Sequence, residues 1–226
     1  MKKKYLIAII LLAFSVYMGC KKDDDGGNGC EGVTSINYLG QTYNTIEIGN
    51  QCWMAENLNV GDMINDTLEM KDNGVIEKYC YDNEPANCDE YGGLYQWNEM
   101  MEYTSTSSVQ GICPRGWYLP TDVEWTTLVD FLGGKFIADL KMKEVGTTHW
   151  KSPNAGATNE SGFTAIPGGY LGNKGFRALG KSGYFWSSSE YNTSCAWFCS
   201  LNYLLAGISY FEELKNDARS VRCLKD

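Results

Sequence analysis

The sequence predicts an α+β protein with much of its length in ordered loops. Three observations predict this. Short apolar islands are bounded by glycine and asparagine, one helix near residue 121 is strongly patterned, and the repeated crossover helices that a parallel sheet needs are missing. Taking the elements in order, residues 41–54 carry apolar groups at Tyr43, Ile46 and Ile48, turn at Gly49-Asn50, and resume at Cys52-Trp53-Met54, which predicts a hairpin. Residues 60–78 are polar, with a second short hairpin expected around Asp72-Asn73-Gly74. Cys80 and Cys88 bracket a polar loop containing Pro85, a spacing that a local disulfide closes. Leu94–Met101 is aromatic-rich and predicts a helix of two turns.

The stretch "LPTDVEWTTLVDFLGG" predicts the clearest helix. Thr121 and Glu124 form a capping box, Trp125, Leu128, Val129 and Leu132 share one face, and Gly133-Gly134 ends the helix. That face is expected to pack on a sheet. The islands "SGFTAIPGGY", "GFRALGKSGYFWSSSEY", "CAWFCSLNYL" and "SVRCLKD" then read as short strands with irregular connections.

The N-terminus predicts export. Lys2, Lys3 and Lys4 precede an apolar run from Tyr5 to about Met18, which is short for a membrane span and laid out as a secretory signal. Gly19-Cys20 closes that run where a bacterial lipoprotein signal is cut. Residues 1–19 are therefore expected as signal and Cys20 as the lipid-bearing residue. The following "KKDDDGGNG" predicts a flexible tether over 20–35, with a single domain from 36 to 226. The acidic run after Cys20 resembles the Bacteroidetes signal for display on the outer face of the outer membrane.

Removing residues 1–19 takes three of nineteen basic residues and no acidic one, leaving sixteen against twenty-eight and a formal charge of −12. That balance argues against nucleic acid as a partner. With Cys20 acylated, eight cysteines remain, which allows four disulfides in an oxidising compartment.

Together, "YNTIEIGNQCWMAENLN", "YCYDNEPANCDEYGGLYQWNEM", "CPRGWYLPTDVEWTTL", "SGFTAIPGGY", "GYFWSSSEY" and "SVRCLKD" resemble the Fibrobacter succinogenes major paralogous domain family. The helix stretch, the tryptophan strand and the terminal cysteine strand also resemble the wider C-type lectin and formylglycine-generating enzyme superfamily. The resemblance implies a C-type lectin-like fold: small twisted antiparallel sheets, about two helices and long loops, supported by disulfides. In such a fold Cys113 anchors the entry to the helix, and Cys113 is expected to pair with Cys223. The family has no broadly established activity. Tyr118 stands where the family often has histidine, which removes a group that titrates near neutral pH.

The residues point away from an enzyme. The lone His149, in "THWKS", is expected as a packed or surface residue rather than a general base, and no second histidine is present to build a zinc cluster. A serine-nucleophile elbow and a phosphate-cradling loop are both missing. Glu56 with Asp62, or Glu99 with Glu102, are carboxylate pairs whose default is solvated surface. The formylglycine-generating enzymes hold copper with two thiols in this part of the fold, but Cys195 and Cys199 are spaced one residue closer than that pattern. On a regular strand they lie about 13 Å apart, which favours structural disulfides with other partners. The calcium-dependent lectin triplets Glu-Pro-Asn, Gln-Pro-Asp and Trp-Asn-Asp are absent.

The expectation is therefore a surface lipoprotein, anchored in the outer membrane, that binds a glycan or protein ligand without a cofactor. The exposed loop aromatics Tyr170, Phe176, Tyr184, Tyr191 and Tyr203 are the candidate ligand-binding groups, while Trp186 and Trp197 are expected in the core. A structural envelope component and a thiol or copper-dependent oxidase using Cys195 and Cys199 are the alternatives.

Overall fold

The computed structural model describes residues 29–226. The expected signal and Cys20 lie outside the described residues. The chain begins with β1 (Ser35–Tyr38), β2 (Gln41–Ile48) and β3 (Gln51–Met54), the last two forming the hairpin expected from the Gly49-Asn50 turn. Gly49 makes that turn with φ +66°, and a Cβ there would also meet the Phe131 ring at 3.0 Å. No hairpin forms at Asp72-Asn73-Gly74. The polar segment instead returns to place β4 (Asp62–Met63) parallel to β5 (Glu77–Lys78).

The expected polar loop contains a helix, α1 (Pro85–Tyr91), for which Pro85 at the first turn was the available signal. The expected two-turn helix at 94–101 is a strand, β6 (Tyr95–Gln96), followed by a single turn, α2 (Trp97–Met100). Next come β7 (Trp117–Tyr118) and the capped helix α3 (Asp122–Phe131). The Thr121 amide donates to the Glu124 carboxylate at 2.8 Å within a reciprocal capping box. Thr121→Ala removes the side-chain half of that box. The expected cost is about 0.5–2 kcal/mol in chemical denaturation, with binding unchanged in the folded protein.

A second helix, α4 (Lys135–Met142), follows at once. Among the described residues there are thus four α-helices, where about two were expected. Two short strands, β8 (Tyr170–Gly172) and β9 (Gly175–Arg177), lead to the long hairpin of β10 (Ser182–Glu190) and β11 (Cys195–Asn202). The chain closes through β12 (Ser209–Leu214), β13 (Ala218–Arg219) and β14 (Leu224–Lys225).

The strands form a five-stranded sheet β1-β2-β3-β14-β7, a three-stranded sheet β10-β11-β12, a four-stranded sheet β6-β13-β8-β9 and the β4-β5 pair. Apart from β4-β5, the strand pairs are antiparallel, and the architecture is α+β as expected. Successive strand residues face opposite ways, and here both faces are buried. Cys52, Met54, Trp186, Phe198 and Cys223 enter one core, while Trp53, Phe185, Cys199 and Leu224 enter a second core under α3.

Three disulfides pin this arrangement. Cys113–Cys223 ties the entry of α3 to β14, Cys80–Cys88 closes the α1 loop, and Cys30–Cys52 fastens the start of the described chain to β3. Cys30 is buried, so residues 29–34, expected in the tether, already belong to the folded part. Among the described residues, Cys195 and Cys199 are free, which corrects the expectation of structural disulfides there. Four residues apart on one regular strand, they sit about 13 Å from each other.

Candidate functional site

A cleft of about 550 Å³ lies between β2 and the segments 88–92 and 144–149. On one wall Glu56 accepts hydrogen bonds from the Asn44 amide at 2.8 Å and from Asn44 Nδ2 at 2.6 Å. At the base Asn57 Nδ2 donates to the Tyr91 carbonyl at 2.9 Å. Gly92 runs so close to Asn57 that a Cβ would approach its Cβ to 2.6 Å, at φ +81°. Thr42, Thr45 and Thr164 add hydroxyl-bearing side chains to the lining.

Arg222 holds this base together. It is fully buried and donates from Nε to Asn57 Oδ1 at 2.8 Å, from Nη1 to the Met54 and Phe163 carbonyls, and from Nη2 to the Thr164 carbonyl. Its guanidinium lies 4.4 Å from the Phe163 ring centroid. Burial lowers its pKa to about 9, with the Glu56 charge opposing, so the group stays cationic at neutral pH.

Across the mouth of the cleft, His149 is gripped by two carboxylates. Its Nδ1 lies 2.8 Å from Glu144, its Nε2 lies 2.5 Å from Glu90, and Tyr91 packs edge-on against the ring at 5.6 Å. Burial works against a charged ring, but hydrogen bonds and charges from Glu144 and Glu90 outweigh it and raise the pKa above 6.5. Both ring nitrogens are committed, so the side chain is a clamp and has no free position for general-base work. Because Glu90 lies in α1 just past the Cys80–Cys88 bond, the clamp ties that helix to the 143–150 segment.

A histidine whose pKa is raised on folding stabilises the fold fully below the unfolded value, and the contribution is lost as pH rises through the folded value. Glu90 is half exposed, so solvent screens much of the pair. His149→Ala is expected to cost about 0.5–1 kcal/mol near pH 5 and almost nothing near pH 9. Denaturation midpoints at the two pH values check the sign.

The five expected ligand-binding aromatics lie outside this cleft and do not converge. Tyr170 on β8 and Tyr184 on β10 meet edge-on at 5.1 Å. Phe176 packs on Tyr81, and Tyr203 packs against the core under α3. Tyr191 stands 51 % exposed at the β10–β11 turn, against Trp197. Trp186 is buried as expected, whereas Trp197 is only partly covered, because the turn leaves one of its faces to solvent.

Both carboxylate pairs were expected as solvated surface, and Glu99 departs from that. Asp62 does not line the cleft that holds Glu56. Glu99 is buried, with its carboxyl pKa raised by burial, and its oxygens accept from the Glu77 amide and the Tyr103 hydroxyl. Burial also pushes the Cys199 thiol far up, and its distance from Cys195 prevents the two from sharing a copper ion. Among the described residues, no three histidine, cysteine or carboxylate side chains are grouped to hold a metal.

The family model of the Fibrobacter succinogenes major domain matches residues 46–225. Among curated proteins and among solved structures, no match was found.

Proposed function

The chain belongs to the Fibrobacter succinogenes major domain family, and from that premise we propose that it is a surface-tethered lipoprotein whose folded part is a C-type lectin-like binding or adhesion module. The ligand is a glycan or an exposed protein segment, taken in the cleft beside His149. One observation carries this reading. The cleft is lined by amide, hydroxyl and carboxylate groups held rigidly by Arg222 and the His149 clamp, with Tyr91 as an aromatic face and no activated nucleophile among them. Fixed polar groups around an aromatic surface suit recognition of a hydroxyl-rich or amide-rich ligand.

Outer-membrane display rests on the basic start, the apolar run, Gly19-Cys20 and the acidic run at Asp23-Asp24-Asp25. Radiolabelled palmitate incorporation and protease shaving of whole cells test it. For binding, residues 29–226 are probed on glycan and protein arrays beside Thr42→Trp, which fills the cleft from its exposed edge. A selective ligand whose affinity falls at least about tenfold in Thr42→Trp supports the reading. A ligand indifferent to that substitution places recognition elsewhere. No ligand at all, with envelope damage on gene deletion, favours a structural envelope role.

A further inference from the structure

The region where the described chain begins lies beside an exposed apolar patch. A Cβ on Gly29 would lie 2.9 Å from the Asn50 carbonyl, and the neighbouring Gly49 lies against the Phe131 ring. From Phe131 the surface continues over the α3–α4 corner. Ile137 packs over Gly133, and Phe136 packs over Gly207, just after Leu204 and Leu205. A backbone bond from the Ile208 amide to the Lys135 carbonyl at 3.0 Å holds the 204–207 loop to α4. Phe131, Phe136, Ile137, Leu204 and Leu205 are 45–69 % exposed, so no element of the described chain covers them. Large apolar groups gathered in this way mark a contact surface.

We infer that this patch rests on the lipid bilayer, inserting Phe131, Phe136 and Leu205 into the headgroup region when the protein is anchored through Cys20. The inference depends on the lipoprotein reading above. Eight residues lie between Cys20 and Gly29, and the nine steps from one to the other span at most about 30 Å. Gly29 is therefore held within that distance of the membrane, and the Phe131 end of the patch lies beside it. A tether of this length raises the effective concentration of patch and bilayer into the millimolar range, where even a weak contact forms. The charges around the patch nearly balance. Lys135 stands 4.9 Å over the Phe136 ring and Lys141 pairs with Glu160 at 3.7 Å, while Asp130 and Glu47 are the other neighbouring acids. The contact is thus apolar rather than electrostatic, and Lys135 can keep its ammonium in water while its stem lies along the interface.

The full acylated chain is reconstituted into phosphatidylcholine vesicles containing brominated acyl chains, carrying either Phe136→Trp or Tyr191→Trp. Tyr191 lies at the far end of β11 from the patch, about 25 Å away along the strand. The native tryptophans, six buried and Trp197 partly covered, are common to both variants and are subtracted as background. The expected result is at least twofold loss of the added emission at position 136 and none at position 191, equally with and without phosphatidylglycerol. Equal emission at the two positions in vesicle-bound protein overturns the inference and leaves the anchor standing. Wild type that fails to float with vesicles, like Cys20→Ser, overturns the anchor and the inference with it. If soluble Cys20→Ser forms dimers that Phe136→Ser dissociates, a second copy covers the patch and the inference is wrong.

Discussion

Replacing Cys113 and Cys223 together with alanine is expected to remove roughly 4–5 kcal/mol of stability. The bond closes a separation of 110 residues, so on the chain-entropy account it restricts the unfolded chain more than the other two do. It also joins two fully buried positions in the larger core, where Cys113 lies in the turn before β7 and Cys223 precedes β14. The Cys80–Cys88 bond spans only 8 residues, and its loss should cost about 2–3 kcal/mol on the same account. Chemical denaturation of the two double variants without reductant measures the difference. Equal costs would show that native packing around the sulfurs, rather than loop closure, dominates.

Trp125→Ala is the second large effect, expected at about 3–5 kcal/mol. Trp125 is 1 % exposed, its ring centroid 4.7 Å from that of Trp53, 5.9 Å from Phe163 and 5.8 Å from Phe185. Its Nε1 donates to the Trp186 carbonyl at 3.3 Å, so truncation leaves both a cavity and an unmet acceptor. Against a typical total of about 5–15 kcal/mol, the variant should still fold at low temperature. Binding measured there should match wild type. Unchanged stability with abolished binding would make this helix a recognition surface and overturn its assignment to the core.

What the sequence discloses divides by range. The β2–β3 hairpin, the α3 capping box and the Cys80–Cys88 loop depend on residues within about ten positions, and each was legible. The α+β class was legible in the short apolar islands and the missing crossover helices, whereas the Cys113–Cys223 pairing came with the family resemblance. Helix α4 was hidden because its N-cap is Gly134 at φ +85°, which reads as the end of α3 and supplies no side-chain cap. The parallel β4–β5 pair was missed because a polar turn signal competed with a pairing that has no local signature. The cleft was the least legible part. His149 meets Glu90 across 59 residues, and Arg222 meets Asn57 across 165, so no spacing rule joins them. Glu144, five residues before His149, was the one local hint of the clamp. The expected aromatics do not converge because Tyr170, Phe176 and Tyr184 lie on strands β8, β9 and β10 rather than in loops, and Tyr191 and Tyr203 flank opposite ends of β11.

The Cys30–Cys52 bond has a mechanical consequence. Tension applied to the chain ahead of Gly29 passes through the two sulfurs directly into β3, which lies between β2 and β14 within its sheet. The load bypasses the 21 intervening residues, so the edge strand β1 is not peeled away, and the β2 wall of the cleft stays slack while its neighbour bears the force. Breaking the bond by reduction would put β1 and β2 in series with the pull. Under load that length could then pay out by as much as about 70 Å, carrying Thr42 and Asn44 out of register with the rest of the cleft.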